Sequence, residues 1–353
     1  MTLADVIRTE IGAGGPITFA RFMELALYHP RFGYYFAGRE RTGWRGHFLT
    51  SPELDPAFGE LWAEGFRRVW EGCGSPSRFE IVEVGPGEGS FARAVLEHSS
   101  GAFGAALSYR LVERSPHARA RQREVLNDER VTWTDSLDDV DEVPAGCVFC
   151  NEVLDNLPVH LIEGRKDAVV EGYVDTSGER FRFVWGEPSS DEVRSYFAAS
   201  PAPRVRAEVG LDAVRFVRRA ARCFEQGAVV LIDYGDDAER LLARRGGTLL
   251  CYSESGVDDM VLDRPGSKDI TAHVNWTAVA KALQAGRLEV TGPRTQREVL
   301  KDLGLDSVHD RLRAATRTGR GVEVVRATSR RQALGVLADP SGLGGLDVLV
   351  GTR

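Results

Sequence analysis

An α/β fold, with a mostly parallel sheet and helices on both faces, is predicted by three features of this 353-residue sequence. From Phe79 onward short β-rich runs alternate with helical ones, a glycine-rich turn follows the first run, and an acidic residue closes the second. Strands alternating with helices point to a parallel sheet, because parallel neighbours need a crossover connection and a helix usually supplies it.

The strand runs are Phe79–Val84, Tyr109–Val112, Val131–Trp133, Cys147–Cys150 and Ala228–Asp233. A helix from Ser90 to His98 separates the first two. An amphipathic helix carrying Leu211, Val214, Val217, Ala221 and Phe224 precedes the fifth. Two further strand candidates, Leu288–Thr291 and Asp347–Val350, follow, the second just after the tight turn Pro340–Gly345. Together these elements predict a Rossmann-like sheet whose last strand runs antiparallel. Tyr173–Trp185, around Asp175-Thr176-Ser177-Gly178, reads as an inserted hairpin.

Before the sheet, Thr18 caps a helix that buries Phe19, Phe22, Met23 and Ala26 and stops at Pro30. Phe58, Leu61, Trp62, Phe66 and Val69 form the apolar stripe of another helix. The expected organisation is an N-terminal helical cover over 1–75 and a cofactor-binding core over 76–245 with the hairpin inserted near 170–186. A cap segment with the final strands occupies 246–353, and residues 246–285 read as irregular.

Composition excludes several classes. Lys+Arg of 45 against Asp+Glu of 52 gives a net charge of −7, which argues against a protein that coats nucleic acid. No apolar run approaches the ~20 residues of a membrane span. Met1–Gly15 lacks a basic start followed by an apolar stretch, so a secretory signal is not expected. Five scattered cysteines suit a reducing compartment, and a cytoplasmic location is the expectation. Cys147-Val-Phe-Cys150 lies in an apolar run without a second ligand pair, so both thiols are read as small core hydrophobes and no metal is expected.

The strongest local signal is Glu83-Val84-Gly85-Pro86-Gly87-Glu88-Gly89, directly after a strand and opening a helix. The dinucleotide fingerprint puts its third glycine one residue later, where Ser90 stands, which counts against a nicotinamide-dependent oxidoreductase. Glycines let backbone approach a ligand closely, and a helix N-terminus supplies free N–H groups. Such a loop suits the amino-acid end of S-adenosylmethionine, with Glu83 balancing its ammonium. Glu113, at the end of the second strand, is placed to accept both ribose hydroxyls. Asp135, Ser136 and Leu137, after the third strand, are candidates to clasp adenine: an acceptor for its amine, a backbone contact and an apolar contact. Asp135 and Ser136 are also ordinary turn or cap residues.

Asn151-Glu152-Val153-Leu154-Asp155 follows the fourth strand, whose carboxyl end flanks the crevice where open α/β sheets bind ligands. Carboxylates there suit a cationic acceptor, because guanidinium and carboxylate pair as a two-pronged fork. Asp155 reads equally as a cap of a short helix. Thr50-Ser51-Pro52-Glu53 reads locally as a capping box with proline in the first turn.

Motifs along nearly the whole chain resemble the MidA-like methyltransferases, a family that includes a mitochondrial complex I assembly-factor arginine methyltransferase. They are Gly15–Phe19, Tyr28-His29-Pro30 with Gly33-Tyr34-Tyr35, Thr50–Glu53 with Phe58-Gly59-Glu60, and Glu83–Gly89. Asn151-Glu152 with Asp155 and Leu157-Pro158-Val159, then Ile232–Gly235 and Asp269–Val274, complete the set. The resemblance implies a Rossmann-like methyltransferase core, S-adenosylmethionine as cofactor and N-methylation of a protein arginine. It adds Tyr34, Thr50 and Ser51 to the cofactor contacts Glu83, Gly85, Pro86, Gly87, Gly89, Glu113, Asp135, Ser136 and Leu137. It adds His273 to Asn151, Glu152 and Asp155 at the reacting end. The chain departs from the family pattern at His47, at Glu88 in the glycine loop, at Asn275-Trp276, and in Cys251–Ser255, which lacks an expected histidine. These departures leave open a small-molecule O- or N-methyltransferase, and a catalytically silent assembly chaperone is a third reading. The expected partner is a protein substrate or a small acceptor, without nucleic acid or a membrane span, and with a homodimer as one assembly to test.

Overall fold

Seven strands form the larger sheet of the computed structural model, which describes residues 1–36, 50–166 and 168–353. His47 lies outside the described residues. The strands are β1 (Phe79–Val84), β2 (Leu107–Val112), β3 (Val131–Thr134), β4 (Val143–Asn151), β5 (Phe224–Asp233), β6 (Glu289–Thr295) and β7 (Asp347–Thr352). Their spatial order is β3-β2-β1-β4-β5-β7-β6. The first five are mutually parallel; β7 pairs antiparallel with both β5 and β6. Strand order therefore reverses between β1 and β4, so the turn after β1 and the end of β4 open on the same edge of the sheet.

The chain divides into two compact units interleaved along the sequence. One comprises the described residues of Glu40–Asn151, Arg219–Asp233 and Leu283–Arg353, and holds the seven-stranded sheet. Its core is aromatic. Trp62 and Phe66 of the helix Ala57–Gly72 meet Phe149 of β4 at 5.2 and 5.6 Å between ring centroids, and Phe91 stacks on Phe149 at 4.4 Å. Cys147 and Cys150 are fully buried free thiols in β4, and burial pushes both far above their ordinary range. Among the described residues no group of His, Cys, Asp and Glu is arranged to hold a metal ion, and no helix is long and apolar enough to cross a membrane.

The other unit comprises the described residues of Met1–Arg39, Glu152–Arg218 and Tyr234–Ala282. Helices Leu3–Gly14 and Phe19–Tyr28 bury Ile7, Phe19, Phe22, Met23 and Leu27 in one apolar cluster. Thr18 caps the second helix as its sequence requires, accepting from Arg21 N at 3.2 Å. Val174, Phe181 and Phe183, on the antiparallel strands Val169–Ser177 and Arg180–Gly186, pack into the same cluster.

Several elements differ from the sequence reading. The hairpin belongs to a five-stranded antiparallel sheet with Ile17–Thr18, His160–Gly164 and Arg206–Val209, in the unit that also holds the N-terminal helices. The boundaries expected at 75 and 245 thus give way to a discontinuous division, because antiparallel partners lie far apart in sequence. The expected irregular stretch 246–285 contains a three-stranded sheet of Leu250–Ser253, Gly256–Asp258 and Asp269–Thr271, followed by the helix Trp276–Ala285. Helices Gln296–Asp302, Leu305–Thr318 and Val322–Leu337 precede β7 where none was expected.

Candidate functional site

In the unit of the larger sheet, β1 ends in a turn whose three glycines all have left-handed backbones: Gly85 (φ 67°), Gly87 (φ 53°) and Gly89 (φ 83°). An L side chain is strained there, so the turn needs its glycines. The helix Ser90–Glu97 begins directly after Gly89, which turns the free N–H groups of its first turn toward the edge of the sheet. Among the described residues a Cβ added at Gly87 would meet only Glu53 Oε1, at 3.9 Å, so this backbone is open to close approach from them. Glu88 accepts from Arg121 Nε at 2.8 Å and Nη2 at 2.9 Å, which accounts for an acid in this loop.

Two residues not singled out by the sequence reading shape the turn from below. Tyr109 of β2 donates to Glu83 Oε2 at 2.7 Å. Burial pushes the Glu83 carboxyl up to about 8, against the pull of that hydrogen bond. Glu83 is thus largely protonated at neutral pH, and a cation placed against it would favour the ionised form. The fully buried Gln122 donates to Gly87 O at 2.8 Å and lies 3.4 Å from Glu113 Oε2, linking the glycine turn to the end of β2. A tyrosine at a buried strand position, in register with Leu107 and Leu111, is a readable sign of a buried polar partner. Gln122, in a strongly polar helix, gives no such sign.

Glu113 stands at the end of β2, where Oε1 accepts from Ser115 N at 2.7 Å, and burial raises its carboxyl above the usual range. Asp135 is exposed and paired with Arg119. Ser136 forms a capping box over Leu137–Asp139: its hydroxyl accepts from Asp138 N at 3.1 Å and its N–H donates to Asp139 Oδ2 at 3.1 Å. Both Ser136 groups are therefore committed within the turn, and the backbone contact expected from Ser136 is already used. Leu137 is buried. Thr50 occupies the cap position of Ser51–Leu54 without a side-chain capping bond, so the expected Thr50/Glu53 box does not form. Ser51 is buried and accepts from Gln296 Nε2 at 3.0 Å. The glycine turn, helix N-terminus and carboxylate of Glu113 fit an adenosyl amino acid: donors and open backbone at one end, an acceptor at the next strand.

Asn151 is the last residue of β4, and Glu152 follows it as the first residue of the other unit. Glu152 has a left-handed backbone, φ 54°, a strained state for a non-glycine residue and one that clusters at functional sites. Asp155 lies in the short 3-10 turn Leu154–Asn156 and is buried, with its backbone carbonyl accepting from Ala272 N at 2.9 Å. Asn156 is the hub beside it. Its Nδ2 donates to Asp269 Oδ1 at 2.9 Å and to Ile270 O at 3.2 Å. Tyr28 Oη donates to Asn156 O at 3.1 Å. Tyr35 Oη lies 2.9 Å from Asn156 Oδ1 and 2.9 and 3.0 Å from the Asp269 oxygens.

Burial, with Asp269, Tyr28 and Asp155 next, holds the Tyr35 hydroxyl well above its ordinary range. Burial, then Asp155, Asp269 and Glu152, raises Tyr252 above its ordinary range. Asp155 and Asp269 thus act on both tyrosines, and Glu152 on Tyr252. Tyr34 is buried in the apolar cluster of this unit, edge-on to Tyr35 at 5.2 Å. The backbone N–H of His273 donates to Thr248 Oγ1 at 2.9 Å, and the ring Nδ1 is buried without a hydrogen-bond partner among the described residues. Burial, then Arg244, lowers its pKa against the pull of Asp236, so the ring is neutral at pH 7. Asn156 and Tyr252 carried no motif signal; Tyr28, Tyr35 and Asp269 lay within matched motifs but received no role.

A family model described as "Putative S-adenosyl-L-methionine-dependent methyltransferase" matches residues 61–294. The Xenopus tropicalis "Protein arginine methyltransferase NDUFAF7, mitochondrial" is 30% identical over 331 residues, covering 84% of this chain and 74% of that protein. Its Homo sapiens namesake is 30% identical over 330 residues, with 84% and 72% covered. The crystal structure of a "likely methyl transferase from Burkholderia thailandensis bound to S-adenosyl-homocysteine" superposes with a TM-score of 0.88 at 29% identity, covering 99% of this chain and 92% of that one. The curated relatives are named as mitochondrial proteins, which overturns the cytoplasmic expectation. With its glycine turn, sheet order and these likenesses, the chain belongs to the MidA-like methyltransferase family and is an enzyme that takes S-adenosylmethionine as its cofactor.

Proposed function

We propose that this enzyme N-methylates an arginine side chain of a protein partner. The observation that carries the reading is a set of carboxylates in one unit: Asp269, hydrogen-bonded to Tyr35, and Asp155 act on both Tyr35 and Tyr252, and Glu152 acts on Tyr252. Such a set suits a planar cation, and the curated relatives named as protein arginine methyltransferases support the same acceptor.

The bound cofactor supplies an electrophilic methyl group on a sulfonium. The glycine turn of Gly85, Pro86, Gly87 and Gly89 receives its amino-acid end, with Glu83 ionising against the ammonium. Glu113 accepts the ribose hydroxyls, and Asp135, Ser136 and Leu137 border the adenine, with Ser136 acting through the turn it caps. Thr50 and Ser51, at the start of the helix Ser51–Leu54, complete the cofactor contacts, and Tyr34 supports Tyr35 from the apolar core. Asn151 orients the entry to the acceptor site. Glu152 and Asp155 pair with the guanidinium, localise its charge and leave one nitrogen with an available lone pair. As that nitrogen takes the methyl group from the sulfonium, it would lose a proton, which the Glu152 or Asp155 carboxylate would accept. His273, neutral at pH 7, is a second acceptor for that proton.

Methyl-labelled S-adenosylmethionine, incubated with the protein and cell extract and then sorted by size, tests the reading. Label in the protein fraction is expected. Label confined to small molecules overturns it in favour of a metabolite methyltransferase. Cofactor binding with no label anywhere overturns it in favour of a silent assembly chaperone.

A further inference from the structure

A shallow, open surface depression of about 450 Å³ lies in the unit of the antiparallel sheet, lined by Glu163, Arg165, Arg204, Arg206, Arg245 and Gly246. None of these residues is among those proposed to hold the cofactor or the acceptor. Four guanidinium groups face one carboxylate, in a chain whose net charge is −7. Some arginines elsewhere each have an acid of their own, as Arg121 has Glu88 and Arg330 has Asp55, whereas here four share one.

The hollow is built rather than accidental. Glu163 is buried and uses both oxygens on its neighbours: Oε1 forms an ion pair with Arg165 Nη2 at 2.9 Å, and Oε2 accepts from Arg206 Nε at 3.2 Å. The same two guanidinium groups lie over the Trp185 ring, at 5.9 and 5.3 Å from its centroid. A shared carboxylate and a shared aromatic face hold two flexible side chains in place and leave most of their N–H groups outward. The backbone around them is fastened as well. Arg204 N donates to Gly164 O at 2.8 Å and Arg206 N to Arg245 O at 3.1 Å. The buried Glu208 accepts from Thr248 N at 2.9 Å and Thr248 Oγ1 at 3.0 Å, which pins the loop carrying Arg245 and Gly246. Arg204 holds a left-handed backbone, φ 66°. The Arg204 and Arg245 side chains make no hydrogen bond or ion pair with any described residue.

We propose that Arg165, Arg204, Arg206 and Arg245 form a second binding site that takes a phosphate-bearing ligand. A single carboxylate is satisfied by one guanidinium fork. Four forks around one hollow match a group with two or more charges and three or more acceptor oxygens. The volume exceeds one phosphate ion and leaves room for the group that bears it. Glu163 acts as a positioning residue, setting two of the four guanidinium groups.

Calorimetry on the full chain tests the site with two phosphate probes, inorganic pyrophosphate and a phosphoserine peptide. The unphosphorylated peptide and a glutamate version of it serve as controls. The variants are Arg204→Gly and Arg245→Gln; glycine adopts the left-handed backbone at 204 without strain, so that variant keeps its fold. Saturable binding of either phosphate probe is expected, weakened about tenfold or more in each variant. Unchanged S-adenosylmethionine binding reports that the variants are intact. Preference for pyrophosphate identifies a free phosphate compound, and preference for the phosphopeptide identifies a phosphorylated chain. The proposal is overturned if neither probe binds, if both variants bind like the parent, or if the glutamate peptide binds as well as the phosphopeptide. None of those outcomes touches the methyltransferase reading, which rests on other residues.

Discussion

Tyr109 donates a 2.7 Å hydrogen bond to Glu83 Oε2 beneath the glycine turn, and both residues are buried. Burial pushes the Glu83 carboxyl from its ordinary 4.5 up to about 8. Between those values the folded protein keeps a proton that the unfolded chain has lost, so stability falls as pH rises through this window and levels off above it. Glu83→Gln is neutral at every pH and removes that slope. It should be more stable than the parent at about pH 8 by on the order of a few kcal/mol, and equal to it at about pH 4. Denaturant unfolding at several pH values measures this. The same variant should bind S-adenosylmethionine more weakly, having no anion to meet an ammonium.

Gly87→Ala separates backbone strain from ligand space. The left-handed backbone costs an alanine about 1 kcal/mol, while among the described residues its Cβ would meet only Glu53 Oε1, at 3.9 Å. Thermal unfolding should therefore change little. S-adenosylmethionine affinity should fall by about tenfold or more, since the methyl group occupies the face the ligand approaches. Equal affinity in parent and variant would remove Gly87 from the cofactor site.

The hub at Asn156 makes a prediction about stability. Tyr35→Phe takes a donor from Asn156 Oδ1 and the Asp269 carboxylate at once. Removing a shared buried donor costs roughly 1–3 kcal/mol. Urea unfolding of the variant checks this, and a variant as stable as the parent would show that the hydroxyl is dispensable.

Glu152→Gly tests whether the strained backbone at φ 54° serves function. Glycine relieves the strain but loosens the unfolded chain, so stability should stay within about 1 kcal/mol of the parent. Methyl transfer should drop by about a hundredfold or more if the carboxylate takes up the proton. Retained turnover would move that role to Asp155 or His273.

The parts of the fold legible in the sequence share a local cause. The β1 strand Phe79–Val84, the glycine turn and the Thr18-capped helix are each set by neighbouring residues: an apolar run, a required left-handed backbone, a side chain that caps its own helix. What was missed depends on distant pairing. Val169–Ser177 pairs with Ile17–Thr18 and His160–Gly164 with Arg206–Val209, each far along the chain, and Leu250–Ser253 pairs with Asp269–Thr271 nearly twenty residues on. The helices Leu305–Thr318 and Val322–Leu337 carry arginine-rich exposed faces that mask their apolar stripes. In the candidate site, Glu83, the glycines and Glu113 stood out because the turn fixes their register. Asn156 and Tyr252 did not, because a hub residue is defined by contacts that only the folded chain brings together.

Protein arginine methylation is tested most directly by acid hydrolysis of partner protein labelled by this enzyme, followed by chromatography of the amino acids. The label should elute as methylated arginine from reactions with the parent and be absent with Glu152→Gly. Label on lysine, histidine or a carboxyl group, or on arginine equally with and without the Glu152 carboxylate, would contradict the assignment.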